Sequence, residues 1–229
     1  MDTTNLTKEA LAKTLDFSIL QAWETEEDIR KHCELSKELN VAIVAINSVW
    51  TKFCVDYLKD TDVKVGASVG FPLGQMSIKS KLDECQNAID DGAQEIDYVC
   101  NVGRARMHDW DYIRDEMQQM VDLCKKHNVL VKVIFENCYL EKEEIRQLSL
   151  IAKDVKPDYI KTNTGFGSAG AQVEDVQLMY ETVQGAVKVK AAGKVRTWQD
   201  AKMMLEAGAE RIGTTGAVPI LEGFEKEHK

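Results

Sequence analysis

Asp158-Tyr159-Ile160-Lys161-Thr162-Asn163-Thr164-Gly165-Phe166-Gly167 leads, through a helical stretch at 173–183, into Ala186-Val187-Lys188-Val189-Lys190-Ala191-Ala192-Gly193. A β-branched run, a glycine-rich loop, an amphipathic segment and a second β-branched run make one strand–helix–strand unit. Each strand ends in a lysine, a residue that ordinarily sits in water. The same alternation continues in both directions. Further strands are expected near 14–19 and at 41–46, 63–69, 95–99, 129–135 and 211–213. Charge-rich helices are expected at 25–39, 77–91, 109–127, 141–153 and 197–207, with a short one after Ala217. Asp91-Gly92-Ala93 and Ala207-Gly208-Ala209 each end a helix just before a strand, with glycine suited to the first position past the helix. Strands alternating with helices imply right-handed crossovers and a parallel sheet. Eight such units in 229 residues fit an α/β fold, a single (β/α)8 TIM barrel running over 1–229 as one domain. A doubly wound open sheet is the alternative.

A net charge of -9 argues against nucleic acid as the main partner, while a local basic cup for a small anion remains compatible with it. Six cysteines, none spaced as CxxC, and a polar start predict reduced thiols and a cytoplasmic protein. No apolar run approaches the roughly 20 residues that span a bilayer, so no membrane partner is expected. His32, His108, His127 and His228 are scattered, and no metal is expected. Trp23, Trp50, Trp110 and Trp198 read as packing on helices or at their edges.

In a parallel barrel the chemistry sits where strands end and the following loops begin. The polar residues there are Asp16, Asn47, Asp97, Glu136, Lys161 and Lys190. Lys132 shares a strand face with Ile134 and Glu136. Lys161 is the candidate amine nucleophile. Its free amine requires a drop of roughly 3 units from a lysine's ordinary ~10.4, about 4 kcal/mol, which a second ammonium and partial burial can supply. Lys190, one strand along, is placed to be that second ammonium. Lys188 shares its face but lies deeper. Asp97 is the candidate acid/base. The competing reading for Lys161 and Asp97 is a plain ion pair. Three glycine loops, at 164–167, 192–194 and 213–216, are candidate phosphate cradles, the last two after strands seven and eight. Gly165-Phe166-Gly167-Ser168-Ala169-Gly170 also matches a dinucleotide fingerprint. It opens at the sixth strand, and the next strand ends in lysine instead of an acid, so the match carries little weight.

These segments resemble the deoxyribose-phosphate aldolases of the Schiff-base type over nearly the whole chain. Gly70-Phe71-Pro72-Leu73-Gly74, Glu95-Ile96-Asp97, Lys132-Val133-Ile134 with Glu136, Lys161 to Gly167 and Val189 to Thr197 are each similar to a family motif, in order. The resemblance implies a TIM barrel and an enzyme of the carbon–carbon lyase class. That enzyme reversibly cleaves 2-deoxy-D-ribose 5-phosphate to D-glyceraldehyde 3-phosphate and acetaldehyde, a step of deoxyribose phosphate catabolism, with no cofactor beyond a covalent imine on Lys161. It further implies Lys190 as the perturbing lysine and Asp97 as the proton relay. Substrate and phosphate contacts are expected from Asp16, Ser18, Lys132, Thr164, Gly165, Gly193, Lys194, Thr214, Thr215 and Gly216. A phosphosugar is the expected partner, and a homodimer the expected assembly. Departures fall on the substrate cup. The early I-D-H-T-L-L-K-P segment is here Leu15 to Ala22, a cysteine common at the second strand end is Ala45, and the last loop reads Gly213-Thr214-Thr215-Gly216. The second glycine of the phosphate loop is Lys194. It either adds a cation to the cup or points to solvent while its backbone amide serves. If that position needs positive φ, the lysine costs of order 1 kcal/mol. A sister aldolase acting on another sugar and a non-catalytic phosphosugar-binding protein are the alternatives. For the last residues, 225–229, a frayed solvated tail is expected.

Overall fold

The computed structural model describes residues 3–228. Eight strands pair in parallel, each with its neighbour in sequence, and β8 closes on β1. They are β1 Leu15–Ile19, β2 Ile43–Asn47, β3 Lys64–Val69, β4 Glu95–Val99, β5 Leu130–Ile134, β6 Tyr159–Lys161, β7 Lys188–Ala192 and β8 Arg211–Thr214. The fold is therefore the closed (β/α)8 barrel, not the open sheet.

Around it run α1 Lys8–Ala12, α2 Glu26–Leu39, α3 Thr51–Leu58, α4 Ile78–Asp90, α5 Val102–Arg106, α6 Trp110–Lys126, α7 Lys142–Val155, α8 Val173–Val183, α9 Trp198–Glu206 and α10 Ala217–Glu227. The helix starts are written in the sequence. Thr25, Ser77, Asp109 and Thr197 each accept a hydrogen bond from a backbone N–H of the first turn they precede. Gly92 and Gly208, at φ 95° and 114°, end α4 and α9 in the left-handed conformation expected of them.

Alternation along the strands sorts apolar and ionic residues onto opposite faces. Phe17, Val44, Ile46, Ile96, Tyr98, Val131, Val133, Ile160, Val189 and Ile212 belong to the apolar core cluster formed with the helices. Their sequence neighbours point into the barrel, and many of those are charged: Asp16, Glu95, Asp97, Lys132, Lys161 and Lys190 are all buried. The hydrophobic driving force thus resides in the ring between sheet and helices, leaving the barrel interior to ion pairs.

Three expectations need correction. Trp23 is not packed away; it sits on a turn after β1 and is 75% exposed. The C-terminal segment is held down as far as His228: Glu227 accepts from Trp198 Nε1 at 2.8 Å and pairs with Lys202 at 2.6 Å. Helices α1, α3 and α5 lie in stretches where no helix was expected. Among the described residues no helix is long and apolar enough to cross a membrane.

Candidate active site

The C-terminal ends of β1, β6, β7 and β8 open into a cavity with about 800 Å³ of empty space, continuous with solvent. Lys161 and Lys190 lie at its base. Their strands pair so that the two lysines are direct register partners, which brings both side chains to one carboxylate. Lys161 Nζ donates to Asp97 Oδ2 at 2.8 Å, and Lys190 Nζ to the same oxygen at 2.6 Å. The other oxygen, Oδ1, accepts from Lys132 Nζ at 2.7 Å. Three ammonium groups therefore meet at Asp97. Gly213 completes the fit, because a Cβ there would fall 2.7 Å from Ala192 Cβ and 3.1 Å from Lys190 Cε.

A second tier lies deeper. Asp16 pairs with Lys190 and, at 3.5 Å, with Lys132. Lys132 also meets Glu95 at 2.5 Å. Arg211 donates through Nε to Asp16 Oδ1 at 2.6 Å and reaches Glu95 at 3.4 Å. Four cations face three carboxylates, a formal charge of +1 with every group ionised.

Burial and the facing charges together set the proton affinities. Burial pushes Asp97 up, but Lys132, Lys161 and Lys190 outweigh it and hold the carboxyl well below its usual range. Asp16 is likewise raised by burial and held down by Lys190, Lys132 and Arg211, to about 2. Burial lowers Lys190 to about 8, assisted by Lys161 and Lys132, while Asp16 and Asp97 pull the other way. Lys190, expected as the neighbouring cation, is thus an ammonium pushed toward neutrality. Lys132 faces three carboxylates that outweigh its burial and is raised. The ion pair between Lys161 and Asp97 is present, as one member of a larger cluster.

The structure brings together most of the residues expected at the site. Asp16, Ser18, Lys161, Thr164, Gly165, Lys190, Gly193, Lys194, Thr214 and Thr215 line the cavity. Asp97, Lys132 and Gly216 do not; Asp97 is buried and touches both cavity lysines. Lys132 is fully buried among carboxylates, and Gly216 precedes α10 with its N–H donated to Thr214 Oγ1. Asp16 lines the floor as a buried carboxylate engaged by cations, which makes it a poor seat for a phosphate. The Thr214 hydroxyl is also spent, on Val195 O at 2.6 Å. Lys194 is exposed and adopts φ 59°. The loop does require the left-handed conformation that glycine takes freely, and the lysine also lines the cavity. Gln21, Glu24 and Arg196 line it unannounced; Arg196 stood within a quoted motif, two residues past Lys194. Lys188 lies at the far end of the barrel, exposed and paired with Glu210 at 3.4 Å. Among the described residues no group of three or more His, Cys, Asp and Glu is arranged to hold a metal ion.

The sequence and the barrel are both shared with known proteins. Residues 4–226 match the model of the DeoC/LacD family aldolases. The chain belongs to that family. It is 50% identical to the deoxyribose-phosphate aldolase of Lactobacillus acidophilus over 219 residues, 96% of this chain and 92% of that one. The deoxyribose-phosphate aldolase of Clostridium novyi is 44% identical over 218 residues, 95% and 98% of the two chains. Among solved structures, the tetrameric deoxyribose phosphate aldolase of Aeropyrum pernix superposes with a TM-score of 0.90 at 29% identity, covering 96% of this chain and 93% of that one. This aldolase therefore carries its ionic cluster on the scaffold of its family.

Proposed function

We propose that this aldolase cleaves 2-deoxy-D-ribose 5-phosphate reversibly to D-glyceraldehyde 3-phosphate and acetaldehyde through an imine on Lys161, with Lys190 and Asp97 moving protons. The observation that carries the proposal is the sharing of Asp97 Oδ2 by two lysines at the cavity base. Lys161 is the more accessible of the two, 4% exposed against 0% for Lys190. Its amine attacks the aldehyde carbon, and the carbinolamine loses water to give the imine. The protonated imine then draws the electrons of the C2–C3 bond as the C3 hydroxyl gives up its proton. Asp97, held ionised by three ammonium groups, is by itself a weak base. Lys190, at about 8, is tuned for proton transfer near neutral pH, acting with Asp97 through a water. Glyceraldehyde 3-phosphate departs, the enamine is protonated, and water releases acetaldehyde and the free Lys161 amine.

The substrate's phosphate is proposed to lie against Gly165, Gly193-Lys194 and Thr215, where Lys194 and Arg196 supply positive charge beside backbone N–H groups. No cofactor enters this scheme. The five buried, unbonded cysteines and the partly buried Cys138 suit a cytoplasmic setting, and the assembly proposed is a homodimer, which light scattering tests.

The lowered affinity of Lys190 for its proton favours one other reading, in which Lys190 is the attacking amine and Lys161 its neighbour. Borohydride reduction in acetaldehyde followed by peptide mass mapping separates the two. The adduct is expected on the peptide holding Lys161. An adduct on Lys190 alone reverses the roles, and no adduct on either removes the Schiff-base mechanism. Turnover of deoxyribose phosphate, against deoxyribose and ketose phosphates, tests the substrate.

A further inference from the structure

We propose that Arg211, which opens β8 below the cavity, is a positioning residue that sets, through Asp16, the pH at which the lysine pair releases its free amine. The inference rests on the Schiff-base reading above and assigns a task to a residue outside the cavity. Arg211 lines no part of that cavity. It is the direct register partner of Lys190 across the β7–β8 pair. Its guanidinium holds Asp16 through both Nε and Nη2, and Asp16 in turn pairs with Lys190 through its other oxygen. One carboxylate is thus divided between a cation that never titrates in the working range and one that does.

Every charge facing Lys190 is accounted for on this scheme. Asp16 on β1 and Asp97 on β4 touch it; Lys161 on β6 lies on the same Asp97 oxygen; Lys132 on β5 contacts both carboxylates and Glu95. Glu95 on β4 and Arg211 on β8 form the outer tier. Lys194 and Arg196 stand at the cavity wall, with Glu24 opposite in charge. Within the buried tiers four cations oppose three carboxylates. Loss of one proton from the lysine pair brings the cluster to neutrality. Because the lysines are coupled, the proton is lost with an apparent pKa of the pair. Removing Arg211 deletes the excess charge while both lysines are still protonated, so the proton is held to higher pH. Removing Glu95 does the reverse. A structural role alone predicts no such opposed signs.

The test is the rate of borohydride trapping with acetaldehyde against pH, on the full chain, for the parent, Arg211→Met, Arg211→Lys and Glu95→Gln. At an effective dielectric constant near 20, a unit charge several ångströms away moves a titration by about 1 pH unit or more. The midpoint is expected to rise by about that amount in Arg211→Met, to fall in Glu95→Gln, and to stay near the parent's in Arg211→Lys. Midpoints unmoved in both Arg211→Met and Glu95→Gln, with trapping intact, overturn the inference and spare the mechanism. If Arg211→Met does not fold, Arg211→Gln, which removes the charge but keeps a hydrogen-bonding side chain, takes its place: a higher midpoint supports the proposal and an unmoved one overturns it. A parent chain that traps nothing at any pH overturns the mechanism itself, and the inference with it.

Discussion

Lys190 and Lys81 are both fully buried, and they show what burial of a lysine can be used for. Lys81, on α4, faces Glu116 of α6 at 2.6 Å and donates to Val99 O at 2.7 Å. Glu116 completes the clasp by accepting from Asn101 N at 2.9 Å. One cation meets one anion, and together they bind the turn that follows β4. Lys190 sits instead in a cluster with one cation too many, and burial brings its proton affinity down to about 8. A matched pair outside the barrel ties helices and a strand end together. The mismatched cluster inside it keeps a proton loosely held. The same residue type at the same burial thus makes a plain ion pair in one setting and holds its proton less firmly in the other.

The sharpest way to break this contrast is to remove each lysine in turn. Lys190→Leu leaves three cations facing three carboxylates, so Lys161 holds its proton more tightly. Trapping of acetaldehyde at neutral pH is expected to fall by about 10-fold or more, the effect of deleting one unit charge several ångströms away, and to return as the pH is raised. Failure to return at any pH assigns the attack to Lys190. Lys81→Met should leave the pH midpoint of trapping where it was. Its cost falls on stability, about 3 kcal/mol or more in urea unfolding, because Glu116 is left buried without its counter-ion. Adding Glu116→Leu should recover much of that loss. A midpoint that moves in Lys81→Met would show that the two buried regions are one electrostatic unit.

Acid separates the regions differently. Asp16 titrates near 2 when folded, from an ordinary value of 3.8. Its folded pKa is depressed, so its contribution is complete above the unfolded pKa and is lost as the pH falls from about 4 toward 2. Integrated, that is about 2 kcal/mol. Asp97, held well below its ordinary value, acts in the same direction. Glu116 is raised by burial despite Lys81, so it binds protons more readily folded than unfolded, and protonation there stabilises as the pH falls. Urea midpoints between pH 5 and 2.5 should therefore drop steeply in the parent and less steeply in Asp16→Asn. Equal slopes would mean that the barrel cluster is not the acid-sensitive element.

Much of the cluster was legible because strand alternation fixes which side chains share a face: Asp97, Lys132, Lys161 and Lys190 follow from period two alone. Arg211 did not stand out, since a charge at the start of a strand ordinarily reads as a solvated end. Lys81 and Glu116 were invisible for a related reason. Each falls on a charge-rich amphipathic helix, where nothing local separates a buried ion from an exposed one, and the partner lies 35 positions away. Helix α3, Thr-Lys-Phe-Cys-Val-Asp-Tyr-Leu, begins without a side-chain cap behind a short 3₁₀ turn at Ser48–Trp50, so its start carries no signal. Trp23 and the docked C-terminal helix were misread because solvent exposure of a turn and burial of a terminus depend on contacts that only the closed barrel provides.

The smallest expected effect concerns a lysine that is not buried. Lys194 holds φ 59°, a conformation that strains a side-chain-bearing residue by roughly 1–2 kcal/mol and that glycine takes freely. Glycine's greater freedom in the unfolded chain returns part of that gain, so Lys194→Gly should stabilise the protein by no more than about 1 kcal/mol. Its functional effect should be one-sided. The variant removes a cation from the cavity wall and keeps the backbone amide, so KM should rise for a phosphorylated substrate and stay level for the unphosphorylated sugar. The pH midpoint of trapping should not move, since Lys194 is exposed and screened from the buried cluster. If KM is unchanged for both sugars, the backbone alone serves the phosphate, and this lysine joins neither the structural nor the chemical class that Lys81 and Lys190 define.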